Sequence, residues 1–371
     1  MTSRLRIMPQ IMLASVRAVS ITIIIELAMI VVGLILLIAL AQAAPDGGST
    51  GSLNLITSPL PISLSGPPGS TLTTDIRIKN GSTHDETLKV TLMKFAAYGE
   101  EGKPAIAERE PGDNYFDWVS FSPQTFAAPP NEWVTVKMTV KLPPTAAFGY
   151  YYAAVFSRAG APEKSSGRQN VLVGSTAVLA LVEAQVPNAK RTANIASFSA
   201  DQRFYEFLPA TFRVKVHNSG NVHLIPTGNI YISRGDKTVA TLKVNSAQGN
   251  VLPNSNRAFT AAWKDGFPVY TEKESGGQVV LDKDGKQVTD LKWDYSKASK
   301  LRFGHYTAHL LMAYDDGKQD VPLEAVVSFW VIPWRVIGMG LIVGLFAAVG
   351  IWSTGRSVAR KTKQVRKSGR K

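Results

Sequence analysis

The sequence predicts an all-β protein of two tandem β-sandwiches, with an export or anchor segment before them and one transmembrane helix after them. Three observations carry this. Apolar and polar residues alternate through much of the middle of the chain, most cleanly at Val134, Val136, Met138, Val140 and Leu142. Period two with one apolar face is the mark of a half-buried antiparallel strand. The runs are short and separated by Gly, Pro and Asn turn signals, which is the reading of a sandwich. Two uncharged apolar segments bracket this region, 14 residues at Leu27–Leu40 and 17 at Val336–Trp352.

The first bracket has the layout of a signal peptide over residues 1–43. Arg4, Arg6 and Arg17 precede it with no acid among them, which keeps that end cytoplasmic. Glu26 limits the apolar core to the length of a signal h-region, and Ala41-Gln42-Ala43 follows as a small-x-small cleavage pattern. Cleavage is therefore expected between Ala43 and Ala44. The rival reading is an uncleaved anchor, since Ile21–Ala41 could just span a bilayer with Glu26 near its edge. Residues 44–52 (APDGGSTGS) are a flexible linker by composition.

The second bracket reads as a membrane span over 331–352. Trp330, Trp334 and Trp352 stand at its two ends, where aromatic rings suit the interface. The tail 353–371 carries eight basic residues and no acid, so the C-terminus is expected inside and attracted to anionic lipid. Gly340, Gly344 and Ala348 make a small-residue stripe on this helix, a candidate for helix self-association.

These ends account for the charge. The net is +13, yet residues 44–330 hold 29 basic and 27 acidic side chains. A strongly basic chain would otherwise suggest nucleic acid. Here the excess belongs to the cytoplasmic side, the ectodomain is near neutral, and no nucleic-acid partner is expected. The chain has no cysteine, which removes disulfides, thiol nucleophiles and cysteine metal sites.

The first sandwich is expected over 53–187. Leu72, Thr74, Ile76 and Ile78 alternate with polar residues, as do Leu88, Val90 and Leu92, and Gly149–Ser157 and Val171–Val186 complete the set. Gly66-Pro67-Pro68-Gly69, Asn80-Gly81-Ser82 and Pro129-Pro130-Asn131 supply turns. The second sandwich is expected over 193–330, from Phe212, Val214 and Val216 to Glu324–Trp330, with a polar excursion at 264–300. The halves share a signature. Ile76–Asn80 (IRIKN) is followed by Gly81, and Val214–Asn218 (VKVHN) by Ser219-Gly220. In each, a strand ends in Asn at a turn, where Asn tolerates left-handed backbone.

Ser58-Pro59-Leu60-Pro61-Ile62, Pro68-Gly69-Ser70, IRIKNGS at 76–82, WVSFSP at 118–123, Leu142-Pro143-Pro144 and Gly149-Tyr150-Tyr151 together resemble the first domain of the WxL-interacting cell-surface protein family. The resemblance spans Leu53 to about Val186, together with the overall architecture. It implies an immunoglobulin-like, peptidoglycan-binding first module, then a second sandwich, one transmembrane helix and a basic tail. The second half (Asn218-Ser219-Gly220-Asn221, Pro226-Thr227-Gly228, Leu252-Pro253) is similar to bacterial surface sandwiches in general. The excursion at 264–300 and the long N-terminal arm have no counterpart in the family pattern.

The catalytic inventory is thin. No G-x-S-x-G, H-E-x-x-H or Walker pattern occurs. His305 and His309 fall in a β-type run, where residues four apart are about 13 Å apart, too far for one zinc. Asp282-Lys283-Asp284-Gly285 reads as a hairpin turn that lacks a calcium loop's distal ligands. Arg234-Gly235-Asp236 is an RGD tripeptide between two strands, and glycine is expected at a hairpin tip in any case. Leu142–Ala146 (LPPTA) reads as a strand end. Asp113 with Asp117, or Asp290 with Asp294, are candidate carboxylate pairs for a wall hydrolase, but sequence spacing carries no specific signal for a separation set in three dimensions.

Among aromatics, Trp118, Tyr150 and Tyr152 are the candidates for glycan or partner contact, since Tyr and Trp pair a flat apolar body with a polar handle. Strand parity separates Tyr151, Ala153 and Val155 from Tyr150 and Tyr152, one set being core and the other the candidate wet face. The expected function is a non-enzymatic, membrane-anchored surface protein that engages peptidoglycan or a secreted surface protein, with membrane lipid at its C-terminal end and no cofactor or metal. A cell-wall-modifying enzyme and an assembly factor for exported proteins are the alternatives.

Overall fold

The computed structural model describes residues 53–160 and 175–368. The predicted signal-peptide segment and its Ala43/Ala44 junction lie outside the described residues. The chain is mostly β-sheet, followed by one long helix, α1 (Trp334–Ser368).

The N-terminal half contributes β1 (Leu55–Ser58), β2 (Ile62–Gly66), β3 (Thr71–Asn80), β4 (Glu86–Tyr98), β5 (Lys103–Ala107), β6 (Val119–Ser122), β7 (Thr125–Ala128), β8 (Trp133–Lys141), β9 (Phe148–Arg158) and β10 (Thr176–Ala184). One sheet has the order β1-β3-β8-β6 and the other β2-β10-β9-β4-β5, with β7 also pairing with β4. The alternation at 134–142 becomes β8. Its Val136, Met138 and Val140, with Ile76 and Ile78 of β3, are fully buried, as are Val90, Tyr152, Ala154, Phe156 and Val178 of the other sheet.

The C-terminal half contributes β11 (Ala193–Ala200), β12 (Phe204–Tyr205), β13 (Ala210–Asn218), β14 (Thr227–Arg234), β15 (Lys237–Val244) and β16 (Ser255–Trp263). These are followed by β17 (Val269–Glu272), β18 (Glu274–Ser275), β19 (Gln278–Val279), β20 (Thr289–Lys292), β21 (Gly304–Asp315) and β22 (Asp320–Val331). The order β11-β13-β16 packs on β12-β22-β21-β14-β15, and one core holds Phe212, Val214 and Trp263 against Ile230, Leu310 and Phe329. The excursion forms two small ribbons, β17-β20 and β18-β19.

The halves repeat one strand order. In each, the first strand runs antiparallel to the third, the chain crosses to the opposite sheet, and the second strand pairs parallel with the last (β2 with β10, β12 with β22). This is an immunoglobulin-like sandwich pattern. No strand is shared between the halves, yet Asn54–Lys371 forms one compact unit.

A second apolar cluster explains why. Met93, Phe95, Ala153, Val155 and Leu181, on the outer face of β4-β9-β10, pack with Leu252 of the C-terminal half. Both faces of β9 are therefore covered. The parity argument foresaw one core face and one candidate wet face, but the second face of this sheet is closed by the other half of the same chain.

The last strand reaches Val331, and Pro333, which has no N–H to continue a ladder, stands just before the first residue of α1. The 23 residues Trp334–Arg356 are long and apolar enough to cross a membrane. At 1.5 Å per residue this is roughly 35 Å, matched to a bilayer core of about 30 Å.

Candidate ligand cleft between the sheet pairs

A cleft of about 630 Å³ opens beside the apolar contact between the two halves. Two local structures build it. The first is the β4–β5 hairpin, whose tip is turned by Gly99 and Gly102 at positive φ (61° and 71°). That tip is fastened to the C-terminal half. The amide of Ala258 donates to the carbonyl of Glu100 at 2.7 Å, Lys215 Nζ stands 2.7 Å from Glu100 Oε1, and Arg213 Nη2 stands 2.6 Å from Glu101 Oε1.

The second is the loop after β15, held by the half-buried side chain of Asn245. Its Nδ2 donates to the carbonyls of Pro226 (2.7 Å) and Gly249 (2.9 Å), and its Oδ1 accepts from the Gly249 amide (2.6 Å). One amide side chain thus gives this loop a defined shape without regular structure.

Between the two lies Arg257 of β16. Its Nη1 donates to the carbonyl of Asn250 at 2.7 Å, and its guanidinium carbon lies 5.6 Å from the centre of the Phe259 ring. Two glycines leave it room. A Cβ on Gly102 would stand 2.5 Å from the guanidinium carbon, and one on Gly249 2.6 Å from Nη2. Burial pushes the guanidinium's pKa down, with no compensating contribution from a carboxylate.

The walls carry Leu60, Phe95, Leu179, Leu181 and Leu252, together with Lys103, Lys243 and Arg257, and no Asp or Glu among the described residues. An apolar cleft with unopposed cations suits a ligand that joins an apolar body to an anionic group.

His223 and Tyr151 stand in the covered interface, rings edge to face at 6.0 Å. Burial, then the charge of Arg191, pushes the His223 pKa down to about 4. Arg191 is itself paired with the buried carboxylate of Glu183.

The predicted aromatic contacts lie elsewhere. Tyr152 is fully buried and donates its hydroxyl to the carbonyl of Tyr115 at 3.0 Å, so it is a core residue closed to any ligand. Trp118 and Tyr150 are half-buried and pack edge to face at 4.7 Å, with Tyr115 against both. None of the three lines the cleft.

The carboxylates of both pairs already have partners. Asp117 accepts both Nη atoms of Arg109 (2.6 and 2.9 Å), and Asp113 stands 3.1 Å from Lys94 and accepts the Glu110 amide. Asp294 takes Ser296 and Lys297, and Asp290 stands 3.7 Å from Lys273. The pKa values of Asp113, Asp117 and Asp294 are all lowered, chiefly by hydrogen bonds from the Glu110 amide, Arg109 and Ser296 respectively, the reverse of what a general acid needs.

His305 and His309 lie exposed on β21. Gly235 and Asp236 form the two-residue turn between β14 and β15. Asp282 Oδ1 accepts the amides of Asp284 and Lys286, which makes its segment a hairpin turn. Gly340 and Gly344 have nothing packed within 4 Å of where a Cβ would be, and Ala348 is likewise exposed on α1.

The cleft residues were missed in the sequence, though one signal was present. Arg257 shares strand parity with Phe259 and Trp263, both of which are buried. An arginine on the inward face of a strand is an anomaly that requires a compensating environment.

The structure thus defines a mostly β protein of immunoglobulin-like sandwich character with an apolar C-terminal helix. No protein-family model matches the chain, and no curated protein matches it. Among solved structures it is similar to the class 5 fimbriae chaperone CfaA, at 12% identity over 74% of this chain and 98% of that one, with a TM-score of 0.31. It is also similar to the CsuC–CsuE chaperone–tip adhesion subunit pre-assembly complex of Acinetobacter baumannii Csu pili, at 11% identity over 73% and 97%, with a TM-score of 0.32. A third is the Salmonella enterica SafA pilin in complex with the SafB chaperone, at 11% identity over 74% and 97%, with a TM-score of 0.29. Likeness at this level carries no functional argument.

Proposed function

We propose that this chain is a non-enzymatic, membrane-anchored cell-surface binding protein that takes its ligand in the cleft around Arg257. The observation that carries this reading is the cleft itself: an apolar pocket with three cations and no acid among the described residues of its walls. Half-burying a guanidinium without a carboxylate has a desolvation cost, and an anionic group on the ligand would relieve it.

In this reading the two sheet pairs are tandem immunoglobulin-like domains, 53–187 and 193–330. The repeated strand order and the repeated buried asparagine support the division. The ectodomain is extracellular after signal cleavage and the basic tail is cytoplasmic. Its ligand is cell-wall peptidoglycan or a secreted surface protein, in keeping with the resemblance to WxL-interacting proteins, and Trp118 with Tyr150 is a second contact patch. Self-association through Gly340, Gly344 and Ala348 belongs to the same reading.

The test is retention of the full chain, in detergent, by purified peptidoglycan and by surface-protein extract, for wild type and Arg257→Met. Retention by one of the two, weakened by Arg257→Met, is the expected result. Retention by neither sinks the binding reading, and turnover of wall polymer sinks the non-enzymatic one.

A further inference from the structure

We infer that the end of the C-terminal sheet pair where α1 begins is a seat for the phospholipid headgroup layer, and that the 264–300 excursion, with residues 301–303 that lead into β21, is its main contact element. This rests on the reading of α1 as a membrane anchor.

The joint leaves no linker. β22 ends at Val331 and α1 starts at Trp334. The short stretch between them is fastened to the sheet. The Trp330 amide donates to the Arg203 carbonyl (2.8 Å) and the Ile332 amide to the Tyr205 carbonyl (2.7 Å). In the first turn of α1, Arg335 Nε stands 3.3 Å from Oε1 of Glu206, whose side chain is 4% exposed. Two connecting residues reach at most roughly 7 Å. Whatever layer takes the apolar length of α1 must therefore meet this end of the sheet pair.

That end has the composition of an interface. Phe204, Trp330 and Trp334 lie exposed at the joint. The excursion is attached beside them. Tyr270 donates its hydroxyl to Glu206 Oε2 at 3.3 Å, the same carboxylate that faces Arg335. The Trp293 ring packs 6.3 Å from Phe207 and 5.7 Å from Phe267. Phe267, Pro268 and Arg302 enclose a small cavity together with Val331.

From this position the excursion exposes Trp293, Tyr295, Leu301 and Phe303, Tyr295 to 75%. Lys297, Lys300 and Arg302 stand among them, paired with Asp294 and Asp265. Tryptophan and tyrosine rings with a polar edge match the headgroup region of a bilayer. Seated there, these side chains and the clamped joint would hold the cleft at a fixed height above the membrane.

The absence of cysteine makes single-site labelling direct. The full chain is reconstituted in phosphatidylcholine–phosphatidylglycerol nanodiscs, with one fluorophore on Tyr295→Cys, Phe303→Cys, Ile56→Cys of β1, or Ile342→Cys of α1. All four side chains are at least partly exposed. Headgroup-spin-labelled lipid is expected to quench the labels at 295 and 303 and to leave 56 bright. Labels at 295 and 303 as bright as 56, while acyl-chain-labelled lipid quenches 342, overturn the seat and leave the anchor standing. An unquenched 342 removes the anchor reading and the seat with it.

Discussion

Asn80 and Asn218 are counterparts in the two halves. Each ends the third strand of its half opposite the first residue of the first strand (Leu55 and Ala193), and each is fully buried. Each Nδ2 donates to the carbonyl four residues on (His84, Val222) and to a distant carbonyl (Ala128, Val251), at 2.8–2.9 Å. Each Oδ1 accepts the amide two residues on (Ser82, Gly220). Removing the Asn218 side chain strands the buried Val222 carbonyl and Gly220 amide, while the Val251 carbonyl keeps the Leu224 amide. At about 1–3 kcal/mol for each orphaned group, partly relieved by water, Asn218→Ala should cost about 3 kcal/mol. Asn218→Asp should cost more, since it buries a carboxylate oxygen against two carbonyl oxygens. Denaturant midpoints of the two variants against wild type check this.

Glu86 of β4 and Arg158 of β9, on neighbouring strands of one sheet, form a two-point ion pair. Arg158 Nε donates to Oε2 at 2.8 Å and Nη2 to Oε1 at 2.6 Å, with His84 Nε2 3.1 Å from Oε1. The Arg158 hydrogen bond is the main reason the Glu86 pKa falls below its ordinary 4.5, against the opposing effect of burial. The folded state holds this carboxylate ionised more tightly than the unfolded chain does. Its contribution is therefore present above pH 4.5 and lost as the pH falls through the lowered value. Glu86→Gln should cost about 2 kcal/mol at neutral pH, less than a fully buried pair would because Arg158 is partly solvated. It should also flatten the acid limb of a stability–pH curve.

His223 gives a second, separate pH window. Its pKa is pushed from 6.5 to about 4 within the interface between the halves. The unfolded chain takes up the proton first. Stability is then complete above about pH 6.5 and declines as the pH falls toward about 4, by about 3 kcal/mol in total. Melting curves at about pH 7.5 and about pH 4.5 should differ for wild type. His223→Phe should narrow the gap while keeping the edge contact with Tyr151. An unchanged gap would assign the acid loss to other groups.

The strands and the repeat were legible because they are local. The alternation at 134–142 is β8, and the asparagines that end IRIKN and VKVHN are the buried loop ties just described. The cleft was not legible, because its walls come from distant segments, such as Phe95 of β4 and Arg257 of β16, and the ion pair that fastens them, Glu101 with Arg213, joins residues 112 apart. For the same reason period two could separate Tyr151 from Tyr152, yet could not reveal that Leu252 and His223 cover the Tyr151 face. Trp118 and Tyr150 did come together, through a short turn before β6 that brings Trp118 against β9. The lone arginine among the inward positions of β16 was the one readable sign of a site.

That arginine separates stability from binding. Arg257 is half-buried, held by the Asn250 carbonyl and by the space above Gly102 and Gly249. Arg257→Met removes the desolvation cost and keeps most of the apolar stem, at the loss of one hydrogen bond. The terms oppose, so stability should stay within about 1 kcal/mol of wild type. Binding of an anionic ligand should fall at least about tenfold, because a charge-assisted hydrogen bond contributes about 1.5–3 kcal/mol. Gly102→Ala attacks the same site from the other side, placing a methyl against the guanidinium at a backbone φ of 71° that disfavours any side chain. It should lower both stability and binding. Thermal melts and titration of the two variants, run in parallel, distinguish a ligand-facing cation from a structural one: a structural Arg257 would lose stability in Arg257→Met and leave affinity unchanged.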